Sequence, residues 1–234
     1  MRRSKLYRQQ REALGDRLER CGVEEALTKL KALAAVKFDQ TVEVSFKLGV
    51  DPRKSDQTVR GAVPLPRGTG KTVRVAVVAD GAAAAEAKEA GADIVGLEDL
   101  VQKIKEGFAD FDILISTPDA MRLVRPLGRQ LGPRGLMPNP KTGTVTDQVG
   151  TAVREAKAGR AEFRADRGAC VHVPFGKLSF DVAALKENFD AIVVALQKAR
   201  PTSAKGAYIL SCTVSATMTP GIKINLKELV RAEK

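Results

Sequence analysis

The sequence predicts a mixed α/β and α+β protein, in which a discontinuous α+β first domain (1–71 with 159–234) is interrupted by an inserted three-layer α/β domain (72–158). The hydrophobic period changes near Lys71 and again near Gly159, and the charge divides at the same places. Residues 1–71 carry 16 Lys and Arg against 9 Asp and Glu, residues 72–158 carry 11 against 12, and residues 159–234 carry 12 against 7. All of the net +11 therefore lies in the two flanks. Neither flank can bury its own sheet face, so the chain ends are expected to fold together, with crossings at PLPRGTGK and AKAGRAE acting as a double hinge.

Each element follows from its pattern. Residues 23–35 read as an amphipathic helix. TVEVSFKL (41–48) alternates, with Val42, Val44, Phe46 and Leu48 on one side and Glu43, Ser45 and Lys47 on the other, as a half-buried strand requires. In the central segment VRVAVVAD is a short apolar run suited to a parallel strand covered on both faces. The helix-forming AAAAEAKEAG follows, closed by Gly91. ADIVG reads as a strand, LEDLVQKIKEGF as a helix with Leu97, Leu100, Val101 and Ile104 on one face, and FDILIST as a third strand before Pro118 opens a helix. Beyond the insert come the alternating strand ACVHVPF and an amphipathic helix over 182–199. YILSCTVSATM places Tyr208, Leu210, Cys212, Val214 and Ala216 on one face and Ile209, Ser211, Thr213, Ser215 and Thr217 on the other.

Composition narrows the function. A pI of 9.7 points to a polyanionic partner. No apolar run approaches the ~18 residues of a membrane span, and the amino-terminal stretch lacks the apolar segment of a signal peptide, so a soluble intracellular protein with no membrane partner is expected. Three cysteines (Cys21, Cys170, Cys212) and the single His172 do not give the paired spacing of a zinc site; no cofactor is expected, and the cysteines read as buried thiols. With 4% aromatic residues, base stacking is not the main mode of recognition, leaving basic and hydroxyl side chains to bind any nucleic acid.

Four motifs have competing readings. GTGKT (68–72) has Leu65 where a phosphate-cradling loop has glycine, and a strand rather than a helix follows, so a hinge turn is expected. The run 121–143 holds Arg122, Arg125, Arg129, Arg134 and Lys141 without an acid; as an irregular loop it is either solvated or a second anionic contact, for transfer RNA or another RNA segment. His172 has no nucleophile signature beside it and reads as structural. The hydroxyl face of 209–217 is either a solvent-facing strand or a surface whose Ser and Thr groups meet ribose 2′-OH and phosphate, and the surrounding charge favours RNA.

Three long motifs, KFDQTVEVSFKLGVDPRKSDQTVRGAVPLPRGTGK, GRQLGPRGLMPNPKTGTV and AKGAYILSCTVSATMTPGIKIN, resemble the family of the first-numbered universal protein of the large ribosomal subunit, which forms the mobile stalk beside the transfer RNA exit site. The resemblance runs in unbroken order from about Glu24 to Asn225 and is of bacterial type. It implies a Rossmann-like insert, a cytoplasmic ribosomal location, and direct binding to 23S ribosomal RNA. It further implies a part in releasing exit-site transfer RNA, and repression of the protein's own operon through its messenger RNA. By motif position it places Lys37, Phe38, Thr41, Arg164, Asp166, Ser211, Ser215, Thr217 and Met218 on the RNA face. Thr219 on that face stands where the family has glycine, which implies weaker or rearranged packing of the tip against RNA without loss of binding, and Arg67 replaces a common histidine, adding a charge at the hinge and little else. The alternative is an α/β enzyme or binding protein for a phosphorylated small molecule, with basic flanks for solubility; a free messenger RNA regulator is a third reading.

Overall fold

A computed structural model describes residues 4–15, 19–33 and 36–231. In chain order the elements are α1 (Lys5–Leu14), β1 (Arg20–Cys21), α2 (Val23–Ala32), β2 (Thr41–Leu48), β3 (Arg60–Pro64), β4 (Val75–Val78), α3 (Gly81–Glu89), β5 (Ile94–Gly96) and α4 (Glu98–Lys105). They continue as β6 (Ile113–Ser116), α5 (Met121–Val124), α6 (Gly128–Leu131), α7 (Val149–Gly159), β7 (Arg160–Arg164), β8 (Cys170–Lys177), α8 (Val182–Lys198), β9 (Ile209–Ala216), β10 (Ile222–Ile224) and α9 (Leu226–Arg231). The fold is mixed α/β with several sheets, and the backbone forms two compact units, Met1–Gly70 with Ala161–Lys234, and Lys71–Arg160.

In the first unit both flanks contribute to one five-stranded sheet of order β1-β10-β9-β2-β8. Strand β2 runs antiparallel to both β8 and β9, pairing Val44 with Val173 on one side and Val214 on the other. Alternation sends Val42, Val44, Phe46 and Leu48 inward, where they meet Val171, Val173, Phe175, Cys212 and Val214. Helices α2 and α8 close this core with Leu27, Leu30, Leu185, Phe189, Ile192 and Leu196, all buried. Phe189 packs edge-on against Phe175 at 6.0 Å between centroids and lies 6.3 Å from Phe46. A separate pair, β3 with β7, adds Val63, Ala161 and Phe163. The last two residues of the helix expected over 23–35, Ala34 and Ala35, lie outside the described residues.

The alternation expected in β9 fails at one point. Lys47 pairs with Ser211 but Leu48 pairs with Ile209, so two residues of β9 face one of β2 and the strand is bulged. Ile209 turns toward the core and Leu210 is 46% exposed. The cysteine expectation is also amended: Cys21 and Cys212 are buried, and Cys170 is partly exposed.

In the second unit β4 is the middle of a parallel sheet of order β5-β4-β6, which is why all four of its residues are buried. Val75 and Val77 pack with Ala87 of α3 and Val149 and Val153 of α7; Ala76 and Val78 face Leu100, Val101 and Ile104 of α4. This is a three-layer unit. Gly91 ends α3 at φ +87°, as a left-handed helix cap requires. No helix follows Lys71, whose ammonium lies 2.7 Å from Asp112, so the turn has no phosphate-loop geometry. The segment expected as an irregular loop from Met121 is helical through α5, a 3-10 turn at Arg125–Leu127 and α6, because Val124, Leu127 and Leu131 recur at three- and four-residue spacing and are buried.

Candidate nucleic-acid interface

The face of the five-stranded sheet opposite α2 and α8 carries polar side chains in register. Lys223, Thr213, Ser45 and His172 stand side by side across β10, β9, β2 and β8. Neighbouring rows place Ser215 beside Glu43 and Ser211 beside Lys47. His172 Nδ1 and Ser45 Oγ lie 3.0 Å apart, so the histidine belongs to a polar row and stands exposed on it. Hydroxyls donate and accept, which suits ribose and phosphate oxygens.

At one end of these rows the chain builds a rigid tip. The N–H of Thr41 donates to Thr217 Oγ1 and the N–H of Thr217 to the Thr41 carbonyl, both at 3.2 Å. Lys177 Nζ donates to Thr41 Oγ1 at 2.9 Å. Asp39 accepts from the backbone and hydroxyl of Ser179 at 3.1 and 2.8 Å, which fixes the segment bearing Lys37 and Phe38. Phe38 is 53% and Met218 50% exposed, the largest exposures among the described large apolar side chains. Lys37, Phe38 and Thr41 on one segment and Thr217, Met218 and Thr219 on another are thus gathered side by side. Thr219 differs from expectation in detail: its hydroxyl accepts the Ala216 N–H at 2.9 Å, and its φ lies outside the left-handed region, so no glycine is needed there.

The other end holds Arg164, Asp166 and Ser211, six residues along β2 from the tip, roughly 20 Å at about 3.3 Å per residue. Arg164 and Ser211 are exposed, and Ser215 is half-buried. Asp166 is exposed and its carboxylate caps its own turn: Oδ1 accepts the N–H of Cys170 at 2.7 Å and of Gly168 at 2.8 Å. Those N–H groups, with nearby Lys47, hold its carboxyl below the usual range. Asp166 therefore shapes the 166–170 turn, in which Ala169 takes φ +57°.

In the Lys71–Arg160 unit, Arg122, Arg125 and Arg129 recur at three and four residues on the side opposite Val124, Leu127 and Leu131, and all three are exposed, as is Arg134. Lys141 lies in the 3-10 turn Pro140–Thr142, with its side chain outside the described residues.

Sequence reasoning did not single out Gln40, Lys47, Lys177 or Lys223. Alternation had placed Lys47 beside Ser45; the other three enter through strand pairing and turn contacts. Arg67, expected to add only charge, pairs through Nε and Nη2 with Glu187 at 2.7 and 3.1 Å.

Hydroxyl rows, basic side chains and two exposed apolar groups on one rigid face have the make-up of a ribonucleoprotein component. The comparisons agree: a family model described as "Ribosomal protein L1p/L10e family" matches residues 30–220. The chain is 57% identical over 208 residues to the large ribosomal subunit protein uL1 of Teredinibacter turnerae, covering 89% of this chain and 90% of that one. It is 58% identical over 207 residues to uL1 of Methylobacillus flagellatus, covering 88% and 90%, and 56% identical over 217 residues to uL1 of Acidithiobacillus ferrooxidans, covering 93% and 94%. The chain belongs to the ribosomal protein L1p/L10e family, in its bacterial uL1 branch. It is a structural, cytoplasmic protein of the ribosome and of translation, and the α/β-enzyme alternative is overturned by this membership.

Proposed function

We propose that the chain is a constituent of the large ribosomal subunit whose discontinuous unit binds 23S ribosomal RNA directly, through the polar sheet face between Thr41 and Ser211. The observation that carries this is the run of hydroxyl and basic side chains in register across four strands, ending in the Thr217–Met218 tip. Lys and Arg supply sequence-independent attraction by releasing counterions, while the hydroxyls favour RNA over DNA. Sucrose-gradient sedimentation tests the assignment: the protein travels with the large subunit, and a protein left at the top of the gradient contradicts it.

The inserted Lys71–Arg160 unit is the mobile part of the stalk, joined by the two chain crossings, and acts in release of exit-site transfer RNA. The arginine face at 122, 125 and 129 supports that second contact, since it offers cations without a neighbouring acid on the same run. Repression of the protein's own operon follows if its messenger RNA presents the ribosomal shape to the same sheet face. A reporter fused to that leader should be silenced by the wild-type chain.

A further inference from the structure

Strand β10 begins only at Ile222, which pairs with Val214, so β9 runs on two residues to Ala216 without a paired β10 residue. Thr217 N–H points to β2, where it meets the Thr41 carbonyl; the preceding Ala216 N–H points the other way. Thr219 Oγ1 accepts that N–H at 2.9 Å, and the Thr219 N–H returns to the Ala216 carbonyl at 3.1 Å. Ala216 is 5% exposed, so its N–H needs a protein partner. We infer that Thr219 is a positioning residue: its hydroxyl replaces the missing β10 partner and locks the 216–219 turn that presents Thr217 and Met218. The inference rests on the RNA reading of that tip and assigns Thr219 an inward role in place of a direct contact. Glycine at this position has no side chain to supply the acceptor, so here the tip is held by a bond particular to threonine or serine.

The test compares Thr219→Ser, Thr219→Val and Thr219→Gly. Hydrogen exchange of the Ala216 amide, measured without RNA, accelerates about fivefold in the valine and glycine variants, the scale of one net hydrogen bond, and stays at the wild-type rate in the serine variant. Affinity for a 23S ribosomal RNA fragment at fixed salt falls by a similar factor in valine and glycine and is restored by serine. The slope of affinity against salt is unchanged, because no phosphate contact is removed. Unaltered exchange in Thr219→Val contradicts the lock itself. Faster exchange with undiminished affinity contradicts its role in presenting the tip. A wild-type protein that does not bind the fragment contradicts the RNA reading, a failure distinguishable because the exchange arm uses no RNA.

Discussion

The N–H of Met218 donates to the side-chain oxygen of Gln40 at 2.9 Å, and Gln40 is 1% exposed. The Gln40 carbonyl accepts the Leu178 N–H at 2.9 Å, so one residue ties the ends of β8 and β9 to the segment carrying Phe38. Gln40→Leu removes the acceptor for Met218 and should cost about 1–2 kcal/mol of stability. Affinity for 23S ribosomal RNA should fall about tenfold through loss of tip order, as filter binding beside a thermal melt would show.

Asp166 predicts a contrast between two substitutions. Asn keeps an oxygen for the Cys170 and Gly168 N–H groups, whereas Ala leaves both unpaired and loosens the turn. Asp166→Asn should bind RNA at wild-type strength or slightly tighter, having lost a negative charge, and Asp166→Ala should bind several-fold more weakly. Equal losses in both variants would show that the carboxylate itself meets RNA.

Asn188 is fully buried and fully used. Its Nδ2 donates to the Gly68 and Phe175 carbonyls at 2.9 and 2.8 Å, and its Oδ1 accepts the Arg67 N–H at 2.9 Å. Helix α8 is thereby fastened to the turn before the insert. Asn188→Leu orphans three polar groups, but only the Phe175 carbonyl is bonded in a fully buried setting and water can reach the other two, so the protein should be destabilised by roughly 2–5 kcal/mol, at about 1–3 for each orphan that stays dry. A lowered urea midpoint is the expected reading; an unchanged one would show that the turn contributes nothing to stability.

Acid should weaken the inserted unit through two carboxylates. Asp112 is held below its ordinary range first by Lys71 and then by the Arg74 N–H, and Asp93 first by the Val75 N–H and then by Lys157. The unfolded chain therefore takes up protons first as pH falls, and the stability these groups add is complete above about pH 5 and lost through the ordinary carboxylate range near 3.9 toward the lower folded values. Both side chains are partly exposed, so the effect is modest. Melting curves from pH 6 to pH 3 should show the decline, and Asp112→Asn should flatten it.

Periodic features were legible in the sequence because local patterning settles them: the alternation of β2, the buried run of β4, and the basic and neutral segments. Features set by distant partners were not. The bulge at Leu210 arises where Gly49 N–H meets the Tyr208 carbonyl at 2.8 Å, a pairing that no local pattern in β9 encodes. In the basic run, Gly and Pro content masks the spacing of Val124, Leu127 and Leu131, so the local pattern predicts an irregular loop where the buried spacing builds helix. Hydroxyls on β9 were visible as a face, whereas the hydrogen bonds of Asp166 and Thr219, made to amides two to four residues away within their own turns, leave no periodic signal.

The polar sheet face is the proposed RNA grip. The most direct measurement is the affinity of the full chain for a 23S ribosomal RNA fragment, compared with a double variant, Ser211→Asp with Ser215→Asp, and with Arg129→Asp on the inserted unit. The sheet variant should lose about 100-fold, about 2.7 kcal/mol, with its melt lowered only slightly, because a carboxylate opposite Glu43 costs about 1 kcal/mol at most. Arg129→Asp should stay within about threefold of wild type, since the charge it reverses lies outside the sheet face. Wild-type affinity in a folded sheet variant would contradict the account.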